Sequence, residues 1–309
     1  MTDRPDISIL IVGFNSKRYL EALIASISPA APHTPHEVLF VNNGCDGSER
    51  IVEELDPSIH ILPSKGNVGF AAANNYLAGS ARGQWLVLVN PDTELERGAL
   101  DALMQSARSI SSNTILGGVA VDANGEALRQ AQIRFPSLAT VAAGAFGWSP
   151  PALDLQQQAA IQVDAVSGGF LMIAREAWDR LGGMDASFFL YAEELDLCWR
   201  HRAAGGRVEL VPASRFRHDV GSGDPHSPQR TLYSLRGIAH FYRKHHSVPY
   251  AWGLIALHWL SCATRLLAGG VASALGWKRH RLLRAFWRPA LCPWLWMSGY
   301  SPKSAKAVI

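Results

Sequence analysis

Residues 7–16 read ISILIVGFNS: a nearly unbroken apolar run, then Gly, Phe, Asn and Ser. Such a run closed by turn-forming residues is the pattern of a β-strand covered on both faces. The pattern returns at EVLFVNN (37–43) and QWLVLVN (84–90), with a shorter version at HILPS (60–64). Between these runs the apolar period changes. Leu20, Leu23, Ile24 and Ile27 follow the i, i+3, i+4, i+7 spacing of a helix face, after Ser16, a residue suited to an N-cap. Pro29 is expected to stop that helix. GCDGS turns into the helical stretch ERIVEEL, and GFAAANNYLAGSA (69–81) reads as a helix of small residues. Strand and helix thus alternate through the first 120 residues. The fold class predicted is α/β, a Rossmann-like, mostly parallel sheet of right-handed crossovers flanked by helices.

In sheets of this kind ligands bind outside the carboxyl ends of the strands. Those ends read GFNS, NNGCDGS, PSKGN and NPDTE, all rich in Asn, Asp, Gly and Ser. Each alone is ordinary turn chemistry. Four on one rim point to a polar ligand. Asp92, just beyond the fourth strand, can ligate a divalent cation that bridges a diphosphate, because hard oxygens suit Mg2+ or Mn2+, but an Asp after proline more often simply begins a turn. In KGNVGFAAANN, backbone N–H groups at a helix start, together with Asn67 and Asn75, can hold a nucleotide. Neither a P-loop nor a GxGxxG fingerprint occurs, which counts against an NTPase and a nucleotide-dependent dehydrogenase.

Residues 122–165 are less regular, with a hairpin expected over NGEALRQAQIRF (124–135) and a Pro-Gly-Ala-rich loop near 136–151. GGFLMIAR (168–175) is expected as a strand, REAWDRLGG (175–183) as a short helix, and RVELVP (207–212) as the last strand. A loop, SRFRHDVGSG (214–223), then carries His218, which can serve as a metal ligand or a base, though a lone histidine is more often neither. FFLYAEELDLCWR (188–200) places Glu193, Glu194 and Asp196 among aromatic and aliphatic residues. A helix from about 192 to 204 sets Glu193 and Asp196 on neighbouring turns and Glu194 on a different side. Leu195, Cys198 and Trp199 then turn toward the core. Two readings of the acids stay open. One is a solvated first turn, where the helix dipole favours carboxylates; the other is a carboxylate in a pocket wall, whose raised proton affinity suits a general base.

The chain has 309 residues, 48% hydrophobic and 18% charged, with a formal net charge of +3. The balance is uneven. Residues 225–309 hold 12 Lys or Arg and no Asp or Glu, leaving 17 basic and 26 acidic residues in the first 224, a formal −9. Six of the ten tryptophans also lie after 224. Tyr250 to Thr264 is apolar over about 15 residues, short of the ~20 that span a bilayer, before Arg265 interrupts it. WKRHRLLRAFWR (277–288) alternates basic and aromatic residues. The expectation is therefore two regions meeting different partners: 1–224, which holds the polar rim and the acids, and a basic, Trp-rich helical region over 225–309 that rests on an anionic membrane surface. A helical cap on the core and a tilted hairpin inserting partway are the other readings of the tail. Its apolar run argues against nucleic acid as the partner. Four dispersed cysteines without a CxxC pair fit a reducing cytosol. The first ten residues, MTDRPDISIL, do not read as a secretory signal.

In order and spacing, ISILIVGFNS, VNNGCDGS, GNVGFAAANN, LVLVNPDTEL, GGFLMIAREAW, GGMDASFFLYAEELDLCWRHRAAGG and RHDVGSG resemble glycosyltransferase family 2, particularly its rhamnosyltransferase-like branch. The resemblance covers roughly residues 7–223. It implies a GT-A fold and inverting transfer from a nucleotide-diphosphate sugar, a dTDP- or UDP-sugar and foremost dTDP-L-rhamnose, with Mg2+ or Mn2+ as cofactor. The implied donor site comprises Phe14 against the base, Asn15, Asn42, Asp46, Asn67, Gly69, Asn90, Gly168 and Gly169. The implied metal ligands are Asp92 and His218. Glu194 matches the carboxylate that deprotonates the acceptor hydroxyl, with Glu193 able to share the work, and the FFLY aromatics become a wall of the sugar site. Two departures stand out: Asn42 where the family usually has Asp, and Glu194 where Asp is commoner. The acceptor expected is a lipid-linked or other glycan in bacterial surface polysaccharide synthesis, at the cytoplasmic face of the cell membrane. The competing readings are a UDP-galactofuranose or UDP-hexose transferase, a nucleotidyltransferase, and a membrane-bound scaffold without activity. GFNSKRYL lacks the Gly-Arg-rich loop that a nucleotidyltransferase needs.

Overall fold

The computed structural model describes residues 4–109, 112–122, 124–128, 134–145, 147–148, 159–218, 227–275 and 280–300. The chain divides into two compact units. The first holds residues 1–135, 153–186 and 193–219; the second holds 136–152, 187–192 and 220–309.

The first unit is built on a nine-stranded sheet. Its elements are β1 (Ile7–Gly13), α1 (Lys17–Ala30), β2 (His36–Asn42), α2 (Ser48–Leu55), β3 (His60–Leu62), α3 (Phe70–Ser80), β4 (Trp85–Val89), β5 (Thr93–Leu95), α4 (Ala99–Ser109) and β6 (Thr114–Val121). After α5 (Leu138–Ala145), which belongs to the second unit, come β7 (Ile161–Gln162), β8 (Phe170–Ala174), α6 (Arg175–Leu181), α7 (Glu193–Ala203) and β9 (Arg207–His218). The strand order is β3-β2-β1-β4-β8-β6-β9-β5, with β7 alongside β9. β1 lies parallel between β2, along its whole length, and β4, over Ile7–Ile11, and all seven of its residues are buried. That double coverage is why ISILIVG carries no alternation. β8 enters antiparallel between β4 and β6, so the sheet is mixed beyond its parallel half. Leu20, Leu23 and Ile27 pack one face of α1 into the same core. Burying a side chain of that size contributes ~1.5–3 kcal/mol.

Several expectations change. Ser16 stands at the N-cap of α1, but its hydroxyl makes no cap bond and is buried without a hydrogen-bond partner. Pro29 lies inside α1, which ends one residue later, because a proline in the last turn forfeits little of the ladder. Part of the supposed loop at 136–151 is the helix α5. Within the expected hairpin, the described residues make a tight turn in which Asp122 N–H donates to Glu126 O and Leu128 N–H to Ala120 O; residues 129–133 lie outside the described residues. The last strand runs on through Ser214 to His218, since Val119–Val121 of β6 and all of β5 pair with it there. His218 therefore ends a strand and does not sit in a loop.

The second unit contains α5, α8 (Pro228–His245), α9 (Val248–Ala274) and α10 (His280–Leu291), followed by a 3-10 turn at Pro293–Leu295. α9 is one helix of 27 residues and passes through Arg265 unbroken, so the expected interruption does not occur. At 1.5 Å per residue it is ~40 Å long, and by length and composition it can cross a bilayer. Arg265 is accommodated because its guanidinium donates to the carbonyls of Ser261 and Gly144 and lies over Phe286. The segment Ser187–Ala192 belongs to this unit by its packing. Phe188 is fully buried and meets the ring of His240 edge-on, while Phe189 packs on Tyr233. These aromatics fill the helical unit and do not form an open sugar-site wall.

Candidate active site

Because β1, β2, β3 and β4 run parallel, their four carboxyl ends open on one edge of the sheet. The first loop exposes Phe14, whose side chain is 53% accessible, and turns through Asn15 at φ +51°. The second loop lies against it: a Cβ on Gly44 would sit 3.1 Å from the Asn15 backbone nitrogen. Asn42, at the end of β2, is buried and fully engaged. Its Oδ1 accepts the Gly44 N–H at 2.8 Å, and its Nδ2 donates to Asp46 at 3.2 Å and to Glu49 at 2.6 Å. Asp46 also accepts from the Ser48 N–H and hydroxyl and from the Lys17 N–H. Burial opposes the charge on Asp46, but these hydrogen bonds outweigh it and hold the carboxyl below its ordinary range. Asn42 and Asp46 are thus tied mainly to each other and to the start of α2.

In the third loop Ser64 donates to Asn42 O at 2.5 Å, and the Oδ1 of Asn67 accepts the Gly69 N–H at 3.3 Å. Gly69 takes φ +86° and leads into α3. Asn75 does not face a nucleotide. Its amide brackets Met184, donating to the carbonyl at 2.8 Å and accepting the N–H at 2.9 Å. Sequence reading passed over Asn43, which is buried, donates to Gly69 O at 3.1 Å and leaves its Oδ1 without a hydrogen-bond partner. The only signal was the doubled Asn in VNNG.

The fourth loop, Asn90 to Thr93, is a β-turn in which Thr93 N–H donates to Asn90 O at 3.2 Å. Asn90 N–H donates to Gly169 O at 3.0 Å, and the Asn90 amide lies 3.5 Å from where a Gly169 Cβ would be. Asp92 follows in the turn, half-buried. Its neighbour Thr93 is paired with His218 across β5 and β9, so the backbones of Asp92 and His218 are adjacent; the His218 side chain is outside the described residues. Among the described residues no three His, Cys, Asp or Glu side chains converge as a metal site.

Gly168 joins this loop to the acids of α7. A Cβ on Gly168 would meet Glu194 Cβ at 3.4 Å and the Phe70 ring at 3.6 Å, so Gly168 lies against both side chains. The structure therefore brings together Asn90, Gly168, Gly169 and Glu194, and adds Phe70, which was not anticipated because its partner lies far along the chain. The solvated first turn is ruled out: Glu193, Glu194 and Asp196 are 4%, 7% and 0% exposed. Each acid has a different fate. Asp196 pairs with Arg200 at 2.7 Å, and that guanidinium also donates to the carbonyls of Leu181 and Gly183, fastening α7 to the glycine turn. Burial first, and the neighbouring Glu194 charge second, push the Glu193 carboxyl well above its usual range against a weaker backbone hydrogen bond. One oxygen of Glu193 has no hydrogen-bond partner. Burial pushes the Cys198 thiol up to about 12, so it stays protonated core filler. Trp199 is half-buried, with its ring edge-on to Phe135 at 4.8 Å.

Residues 8–182, more than half of the chain, match the profile of glycosyl transferase family 2. The chain belongs to glycosyltransferase family 2. Among curated members, the chain is 27% identical over 303 residues to the N-acetylglucosaminyl-diphospho-decaprenol L-rhamnosyltransferase of Mycobacterium tuberculosis, covering 89% of this chain and 96% of that protein. It is 28% identical to the low-salt glycan biosynthesis hexosyltransferase Agl10 of Haloferax volcanii, covering 67% of this chain and 66% of that one. Among solved structures, the mannosyltransferase PcManGT from Pyrobaculum calidifontis, in complex with GDP-Man and Mn2+, superposes with a TM-score of 0.57 at 18% identity, over 94% of this chain and 88% of that one. The expected glycosyltransferase family and GT-A fold are therefore found, and the protein is a glycosyltransferase.

Proposed function

We propose that this family 2 enzyme transfers L-rhamnose from dTDP-L-rhamnose, with inversion, to a lipid-linked glycan acceptor in bacterial surface polysaccharide synthesis. The relative of M. tuberculosis, aligned over nearly its whole length, supports the sugar and the lipid-linked acceptor. The observation that carries the chemistry is the pair of buried glutamates beside Gly168. Two carboxylates so close and so dry do not both ionise. Glu193 holds the proton, and Glu194 remains the carboxylate that removes the proton from the attacking acceptor hydroxyl. The glutamate at 194 reaches one methylene further than aspartate, and its Cβ and Cγ pass close to Gly168.

Phe14 presents its exposed face to the donor base, and Asn15, Asn67, Gly69, Asn90 and Gly169 line the path from base to sugar. Asn42 and Asp46 hold that rim in shape. Asp92 and His218, whose backbones are adjacent, would hold a divalent ion such as Mn2+ or Mg2+. Such an ion, when bound, stabilises the charge of the departing diphosphate.

Residues 1–224 serve as the catalytic domain and 225–309 as the membrane-association region, at the cytoplasmic face. Val248, Trp252, Trp259, Leu267 and Val271 are exposed apolar residues along α9. On α10, Arg281, Arg284 and Arg288 are exposed beside Trp287. Exposed apolar residues together with arginine and tryptophan fit helices lying in the headgroup layer of an anionic bilayer.

The test is nucleoside diphosphate release from a panel of dTDP-, UDP- and GDP-sugars, with Mn2+ or Mg2+ and a lipid-linked N-acetylglucosamine acceptor. dTDP-L-rhamnose should support turnover; turnover only with UDP-sugars moves the assignment to the UDP-hexose reading. Glu194→Gln should bind dTDP as the parent does and lose on the order of 10²–10⁴ in kcat. Alkaline carbonate should release the protein from phosphatidylglycerol vesicles, whereas resistance to carbonate means that α9 spans.

A further inference from the structure

We propose that Ser167 and Asn90 read the hydroxyl groups of the transferring sugar, with Ser167 as a specificity-determining residue of the donor site. The proposal rests on the reading of Asp92 as metal ligand and Glu194 as base.

Ser167 precedes the Gly168-Gly169 pair ahead of β8 and is half-buried. Its Oγ accepts the Gly169 N–H at 3.2 Å. That bond occupies a lone pair and leaves the hydroxyl proton, which has no acceptor among the described residues. Asn90, just past β4, is also half-buried. Its backbone is engaged with Gly169 O and Thr93 N–H, but its carboxamide makes no hydrogen bond to any described residue. The two unused groups meet beside Gly169. A Cβ there would lie 3.4 Å from Ser167 Oγ and 3.5 Å from the Asn90 carboxamide nitrogen. The three atoms nearest to that point, beyond the chain neighbours of Gly169, all belong to those two side chains.

A hydroxyl proton donates, and a carboxamide both donates and accepts. Neither group is charged, so together they suit the neutral hydroxyls of a sugar ring better than a phosphate. Their place along the chain agrees. Asn90 opens the turn that carries Asp92, where the ion and the diphosphate belong. Gly168, next to Ser167, lies against Glu194. Inversion brings the activated hydroxyl in opposite the leaving group, so the sugar lies between diphosphate and base. A site built to pair with a substrate hydroxyl rejects a sugar without it, because its own polar groups are then left unpaired. Ser167 therefore acts on which sugar is held and not on the nucleotide.

The experiment measures dissociation constants for dTDP-L-rhamnose and for dTDP by calorimetry on the full-length protein. Ser167→Ala should weaken dTDP-L-rhamnose by about 3–10-fold and leave dTDP as in the parent. Gly169→Ala adds a methyl group at ordinary contact distance from both side chains, at a residue whose φ is not positive. It should weaken dTDP-L-rhamnose by about 10-fold or more, again without change in dTDP. If Ser167→Ala does not fold, Gly169→Ala decides. Equal weakening of the two ligands would make Ser167 only a cap for the Gly169 N–H and overturn the proposal. Parental affinity for the sugar nucleotide in either variant overturns it as well. A parent that turns over a UDP-sugar and not dTDP-L-rhamnose loses the rhamnose reading alone. The same selective loss is then expected for that UDP-sugar against UDP, and its absence overturns the proposal. A parent that binds no sugar nucleotide overturns both. An active Glu194→Gln variant, with the selective loss still present in Ser167→Ala, removes the base assignment and keeps Ser167 as the sugar-reading residue.

Discussion

At the rim of the sheet, Asn42 shares its amide hydrogens between Asp46 and Glu49 and gives its oxygen to Gly44. At the start of α7, Glu193 and Glu194 lie together, and an oxygen of Glu193 is bonded to nothing. Both places are polar and partly dry, yet only the first is self-consistent. A closed network fixes geometry and resists change. A buried pair of like acids stores unfavourable energy that persists where chemistry needs a shifted proton affinity. Asp196, only two residues beyond Glu194, belongs to the first kind, because Arg200 neutralises it. The contrast therefore separates neighbouring residues, and substitutions can break it from either side.

The largest effect is expected from Asp196→Ala. It strips the partner from a guanidinium that also holds the carbonyls of Leu181 and Gly183. Removing one member of a buried pair costs about 3–5 kcal/mol, and Arg200 is partly exposed, so about 3 kcal/mol is the expected loss in urea unfolding. A loss below about 1 kcal/mol would place Asp196 with the surface ion pairs.

Asn42→Asp would make the rim resemble α7. It replaces two donated hydrogen bonds with a third carboxylate facing Asp46 and Glu49, at a cost of about 1–3 kcal/mol. Adding Glu49→Gln should recover most of that stability, and the double-mutant cycle measures the coupling. Equal stability of Asn42→Asp and the parent would mean that the amide is not what holds the loop. This also gives a physical reason for the departure from the usual family residue: with Glu49 in reach, an amide satisfies the site and a carboxylate does not.

How much of this was legible depends on how far apart the partners lie. β1 and β4 could be read because a strand covered on both faces must be apolar throughout, as Ile9 and Val87 are. The second half of β9 could not, because one of its buried positions is the polar Ser214, which leaves Phe216 as the only apolar residue in SRFRH and too little contrast to show the period. α5 lacks a polar face and has no amphipathic signature. At the site, the residue types were read locally and their grouping came from the order of the motifs. Asn43 and Phe70 escaped because their meaning lies in contacts with Gly69 and Gly168. The apparent unity of FFLYAEELDLCWR concealed a boundary between two differently packed segments.

The acids of α7 predict a change of slope with pH. Glu193 has a folded-state proton affinity above its unfolded value, so the folded state holds a proton that the unfolded chain releases first. Its contribution is fully present below the ordinary carboxylate range and is lost as pH rises toward its raised value. Melting temperature should therefore decline over that window, and Glu193→Gln, a permanent mimic of the protonated acid, should flatten the decline and keep transfer activity. The rim predicts the opposite sign for Asp46, whose lowered carboxyl loses its contribution as pH falls. An unchanged slope in Glu193→Gln would assign the proton to Glu194 and exclude it as the resting base.

Ala192→Gly is the smallest change and the most discriminating. Alanine at φ +70° is strained by about 1–2 kcal/mol, which glycine removes. Glycine also gives the unfolded chain more freedom, returning about 0.4–1 kcal/mol. The net expectation is a gain of roughly 0.5 kcal/mol, or a rise of about 1–2 °C in melting temperature. If the strain is incidental, activity should rise or hold with stability. If Ala192 helps to direct Glu194, the freer backbone should lower kcat while the protein becomes more stable. Opposite signs in the two measurements would show that the strain at the start of α7 is kept for the position of the base, whereas movement in the same direction would make that strain only a matter of packing.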